Sequence, residues 1–132
     1  MDFQAGLIKR LVSAPAVTAI CGTRIFWVQR PQASDLPAVT LMIVSDPRPG
    51  HLKGADGARR TRVQADCRAL TYESALGLAR AVAGTLIEPA SVEGKRFGAA
   101  DIEGPRDMGD DVPGTGFVHR QSMDLFIWHA GD

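Results

Sequence analysis

Between Arg62 and Leu86 the spacing of apolar residues changes once, from every second residue to three or four apart. Val63, Ala65, Cys67 and Ala69 alternate with Arg62, Gln64, Asp66 and Arg68, the pattern of a strand with one buried face. Past Thr71, the residues Leu76, Leu78, Ala79, Val82, Ala83 and Leu86 recur at helical spacing. Thr71 can cap the first turn, Glu73 favours its positive end, and Pro89 stops the helix. The stretch predicts a strand followed by an amphipathic helix folded back over its apolar side. It contains no catalytic signature.

The rest of the chain is arranged around that unit. Phe3, Leu7, Ile8, Leu11 and Val12 make the stripe of a first helix capped by Asp2. Pro15 opens a short second helical piece through Ile20, which Gly22 can end. Residues 24–30, with Ile25, Phe26, Trp27 and Val28, read as a strand bounded by Pro31, and a polar connection follows. Residues 38–45 are apolar on both sides, Val39, Leu41 and Ile43 against Thr40, Met42 and Val44, as in a central or an interface strand. Residues 46–58 form a long loop of prolines and glycines among which Arg48, His51 and Lys53 suit an acidic partner.

Residues 91–103 give a weaker strand anchored by Phe97 and Ile102, and 104–116 a second loop, glycine-rich and acidic. The last strand, 117–129, has Met123, Leu125 and Ile127 in one phase and Phe126 and Trp128 in the other, so its end is expected to be buried on both faces. The expected fold is α+β, one domain over residues 1–132. A largely antiparallel or mixed sheet of about 4–5 strands carries two main helices on one face.

A chain of 132 residues can bury a core without disulfides or a metal, and 45% hydrophobic with 23% charged residues is an ordinary globular balance. Cys21 and Cys67 are expected as plain core thiols, and the three histidines lack metal-ligand spacing. Apolar runs are too short to span a bilayer, and no signal peptide or anchor is expected. Charge is balanced overall but not along the chain. Through residue 85 there are 11 Lys and Arg against 6 Asp and Glu, and from 86 on there are 4 against 9. Copies of such a chain can dock head to tail.

The search for chemistry returns little. Gly114-Thr115-Gly116 leads into a strand and lacks the third glycine of a dinucleotide fingerprint, and no P-loop is present. Asp101, Glu103, Asp107, Asp110 and Asp111 fit no cation-loop spacing and read as a solvated acidic loop; catalytic use of them with a metal is the third-ranked reading. Arg59, Arg60, Arg62 and Arg68 favour a protein interface or a solvated sheet face over DNA contact, since Asp66 interrupts the row. A small DNA-binding or nuclease-associated domain is the runner-up. No catalytic residue, cofactor or metal is expected.

Taken together, several segments make the chain resemble the tail-completion, or tail-terminator, family of long-tailed phages and gene transfer agents. They are the N-terminal helix, Gly22-Thr23-Arg24-Ile25-Phe26, Pro31-Gln32, and Leu36-Pro37 before an apolar strand. They continue with Arg62-Val63-Gln64-Ala65-Asp66, Thr71-Tyr72-Glu73-Ser74-Ala75, and residues 119–128. The resemblance implies a structural virion subunit, assembled in the bacterial cytoplasm into a homo-hexameric ring at the head-proximal end of the tail tube. Such a ring stops tube growth, meets the tail tube protein and a head-side connector or stopper, and lets DNA pass without specific binding. The expected contact residues are Met42, Val44, Arg48, His51, Lys53, Arg59, Arg60, Arg62, Asp110 and Asp111.

Overall fold

The computed structural model describes residues 1–31, 35–47 and 58–130. In chain order the elements are α1 (Phe3–Val12), α2 (Pro15–Cys21), β1 (Ile25–Trp27), β2 (Ala38–Ser45), β3 (Arg59–Ala69), α3 (Tyr72–Leu86), β4 (Ala90–Val92), β5 (Lys95–Val112) and β6 (Gly116–Ala130). The α+β class holds, with six strands where four or five were expected and a short third helix beside the two main ones. The strands form one sheet in the order β1-β2-β3-β6-β5-β4, antiparallel except where β1 runs parallel to β2.

The strand-to-helix switch at the centre is realised as read. The Thr71 side chain accepts a hydrogen bond from the Ser74 N–H and starts α3, while Asp2 does the same for α1 through Ala5. The three helices pack on one another and on one face of the sheet. Leu7, Leu11, Leu41, Leu78, Leu86, Met123, Leu125 and Ile127 are fully enclosed between the layers. Burying each such side chain contributes about 1.5–3 kcal/mol, which makes this interlayer core the main source of stability. Cys21 and Cys67 lie in it as free thiols, and burial raises the pKa of both.

Two polar devices lock the layers. The Arg10 guanidinium reaches from α1 to donate to the carbonyls of Thr85 (2.8 Å) and Glu88 (2.5 Å), putting a cation at the negative end of α3. At the start of β3, the Thr61 hydroxyl donates to Asp46 (2.8 Å), which also accepts from Arg59 (3.0 Å). With that proton committed, the 2.7 Å contact between Thr61 and His129 requires His129 Nε2–H as donor. The His129 ring in turn stacks 4.1 Å from Phe3 of α1.

Four expectations are corrected. Residues 104–116 are not a loop: β5 and β6 pair as far as Val112 with Gly116, and the chain reverses in a tight turn closed by Thr115 N–H to Val112 O at 2.9 Å. Pro113 supplies the first central residue and Gly114, at φ 84°, the second, the arrangement of a type II turn. The expected strand at 91–103 is cut in two by a second hairpin turn in which Glu93 (φ 45°) and Gly94 (φ 86°) are both left-handed. β1 ends at Trp27 because Val28 turns to φ 68°, with Gln29 N–H bonded back to Trp27 O at 2.7 Å. Finally, Trp128 is 47% exposed, because its phase of β6 faces away from the helices.

Candidate assembly surfaces

With all helices on one side, the opposite sheet face is open, and strand register dictates its rows. Arg60 stands beside Trp128. In the next row Ser45, Arg62, Phe126 and Asp101 lie abreast, followed by Met42, Gln64, Asp124 and Glu103, then Thr40, Asp66, Ser122 and Arg106, then Ala38, Arg68, Arg120 and Met108. The alternation of β3 thus places Arg60, Arg62 and Arg68 on the open face, with Arg59 in the other phase, and the carboxylates that answer them come from three strands, Asp66 of β3, Asp101 of β5 and Asp124 of β6.

Asp66 is 3.7 Å from Arg68 and 3.4 Å from Arg120, and it also accepts from the Gln64 amide. Asp124 is 3.4 Å from Arg62 and 3.1 Å from Arg106. Both aspartates are almost fully covered, whereas Arg60 and its partner Asp101, 3.5 Å apart, are solvent-exposed. Arg60 and Arg62 also lie over the Phe126 ring, 4.4 and 5.5 Å from its centroid. Burial lowers the pKa of the Arg68 guanidinium, an effect that Asp66 opposes. Asp66, which in the sequence interrupts a positive row, is in the structure what holds that row together.

Beyond the helix layer the β5–β6 hairpin continues as an arm, residues 105–119. Its root is fastened to α3 through Asp107, which accepts from the Tyr72 hydroxyl (3.2 Å) and the Gln121 amide (2.7 Å). That bond raises the Tyr72 phenol above its ordinary pKa. Asp107 is therefore a structural link. Asp110 and Asp111 lie farther out, both exposed, with the exposed apolar side chains of Met108, Val112 and Phe117 on the same arm.

The expected contact residues thus fall into two groups. Met42, Val44, Arg59, Arg60 and Arg62 gather at one end of the sheet, Asp110 and Asp111 at the other. Met42 and Val44 are each 43% exposed, which accounts for a strand that reads apolar on both sides. Arg48, His51 and Lys53 lie outside the described residues. Sequence reading missed Trp128, Phe126 and the arm's apolar residues. The alternation of β6 had put Phe126 and Trp128 in one phase, but nothing in it says that this phase faces solvent.

Among the described residues no three His, Cys, Asp or Glu side chains come together to hold a metal, and no helix is long and apolar enough to cross a membrane. The acidic side chains of residues 101–111 are strung along one strand instead. The class this defines is a two-layer α+β module with one sheet face uncovered and a hairpin arm. The chain belongs to the tail completion protein gp17 family, whose model matches residues 5–121. Among solved structures it is similar to a chain of the virion of a native gene transfer agent particle, with a TM-score of 0.63 and 15% identity over 98% of this chain and 93% of that one. At that identity the likeness is one of fold. Comparison with curated proteins gives no significant match.

Proposed function

We propose that this protein is a structural subunit of a phage or phage-like tail. It forms a hexameric ring at the head-proximal end of the tail tube, ends tube growth there, and presents its other side to the head connector. Membership of the tail completion family over residues 5–121 carries this reading. The fold shared with a gene transfer agent virion chain supports it. Two exposed patches at opposite ends of the sheet suit a subunit that must meet a copy of itself on each side. The role is architectural rather than catalytic.

DNA binding through β3 gains no support from the geometry. Arg59, Arg60, Arg62 and Arg68 are each already set against a carboxylate, so a phosphate would have to displace Asp46, Asp101, Asp124 or Asp66. The deciding experiment is light scattering and negative-stain microscopy of the purified protein, alone and with tail tubes. A six-membered ring that caps tube ends supports the proposal. A monomer that ignores tubes overturns it.

A further inference from the structure

The β5–β6 ladder sets an aspartate opposite a phenylalanine twice. On the open face Asp101 of β5 faces Phe126 of β6, and on the arm Asp111 faces Phe117. The first pair holds an arginine. Arg60 reaches in from β3, lies 4.4 Å over the centroid of the Phe126 ring and comes within 3.5 Å of Asp101. A guanidinium suits this setting because its flat face stacks on the ring while its edge donates to the carboxylate.

The second pair lies where β3 no longer runs. That strand ends with Ala69 opposite His119, so it does not border Phe117. Register puts Asp107, Asp111, Phe117 and His119 on one side of the arm and Met108, Asp110 and Val112 on the other. The Phe117 ring lies across Gly109, with Asp107 and Asp111 as the residues next to that glycine on the same side of β5. His119 stands edge-on to the ring at 4.8 Å. Phe117 is 47% exposed, so its outer face is open to solvent.

The carboxylates beside it differ in their commitments. Asp107 is taken by Tyr72 and Gln121, whereas Asp111 is exposed and no described side chain pairs with it. Arg106, the one Lys or Arg among residues 105–119, is on the open face and turned to Asp124. The Phe117 side of the arm therefore carries negative charge beside an aromatic face, the combination that attracts a cation. Within this chain Arg59, Arg60, Arg62, Arg68, Arg106 and Arg120 are each set against a carboxylate of their own. The guanidinium that matches the arm is accordingly assigned to a different protein.

We propose that the arm takes an arginine side chain of a partner protein at Phe117 and Asp111, the guanidinium lying over the ring and donating to the carboxylate as Arg60 does at Phe126 and Asp101. The contact is the same whether or not the subunits close into a ring.

A peptide titration followed by nuclear magnetic resonance tests it. The protein carries isotope-labelled phenylalanine rings, and the Phe117 signal is assigned by its loss in Phe117→Leu. The probe is acetyl-Thr-Val-Arg-Val-Thr-amide, and its control is the same peptide with citrulline, which keeps the shape and removes the charge. The arginine peptide should shift the Phe117 signal saturably and leave Phe126, already under Arg60, unmoved. Binding should weaken by about tenfold with the citrulline peptide or in Asp111→Asn. Asp110→Asn removes the same charge from the other side of the arm and should leave binding unchanged. No saturable shift, an equal response to citrulline, or an equal loss from Asp110→Asn overturns the proposal. A second copy could offer its exposed Arg80 or Arg96. A Phe117 signal that moves on dilution of the protein alone, or in Arg80→Gln or Arg96→Gln, shows that a copy is the partner and overturns the assignment to a different protein. Light scattering reads ring formation separately in every case.

Discussion

Phe117 lies flat across Gly109 on the adjacent strand, so close that a Cβ on Gly109 would stand 2.5 Å from the ring Cζ and 2.8 Å from the Val118 carbonyl. The ring replaces the side chain that the glycine lacks and stiffens the arm where only two strands hold it. Gly109→Ala should expel the ring or push the strands apart at a cost of about 1–3 kcal/mol. Hydrogen exchange should speed up over residues 107–119 and remain unchanged in α3.

Gly84 is the opposite case. It sits inside α3, and a Cβ there meets nothing within 4 Å. Gly84→Ala should raise stability by about 0.5–1 kcal/mol, read as a higher urea midpoint at constant slope.

Val28 is a β-branched residue at φ 68° with 70% of its surface exposed, so it holds a strained backbone with little burial in return. The left-handed conformation costs about 1–2 kcal/mol for an L residue. Val28→Gly should therefore stabilise by up to about 1 kcal/mol after the entropy of the unfolded glycine is counted. A lower thermal midpoint for this variant would show that the strain is not there.

Arg10 satisfies two carbonyls at the end of α3 with one planar head. Arg10→Met should lose about 1.5–3 kcal/mol by denaturant titration, and Arg10→Lys should recover only part, since an ammonium lacks the guanidinium's planar fork. Lys9→Met, one residue away and exposed, should change stability by less than about 0.5 kcal/mol.

The Cys67 thiol is held protonated by burial, with Asp66 adding to the effect. Its pKa is higher folded than unfolded, so its contribution to stability is complete below about pH 8.5 and declines as pH rises and the unfolded chain ionises. Denaturation between pH 8 and 10.5 should show a loss that approaches about 1.4 kcal/mol per pH unit from this group. Cys67→Ala should remove that component of the slope. Native protein should resist iodoacetamide at pH 8 until it is unfolded.

The parts of the fold legible in the sequence are those in which one period runs for several turns or pleats. β2 is legible to the residue, β3 with its facing, and α3 with its cap. Less legible were the features set by partners distant in sequence. The pair Glu93-Gly94 and the run Pro113-Gly114-Thr115 look like loop material, and only the matching strands on either side make them turns. Likewise, Trp128 and Phe126 carry a buried-strand pattern, and it is the packing of every helix on one face that leaves them outside. Asp66 shows the same limit, since its two arginines come from its own strand and from β6, 54 residues on. The candidate contact residues were separable in sequence only by charge; their sorting into two distant ends is a product of register.

The sharing of each central carboxylate by two arginines makes the open face unequal in what it tolerates. Loss of Arg62 leaves Asp124 with Arg106, and loss of Arg120 leaves Asp66 with Arg68, so either change leaves the remaining charges matched. Loss of either aspartate instead leaves two cations side by side on a half-covered surface. Random change in this sequence can therefore thin out the arginines one at a time, while the aspartates act as the nodes whose removal opens the whole lattice.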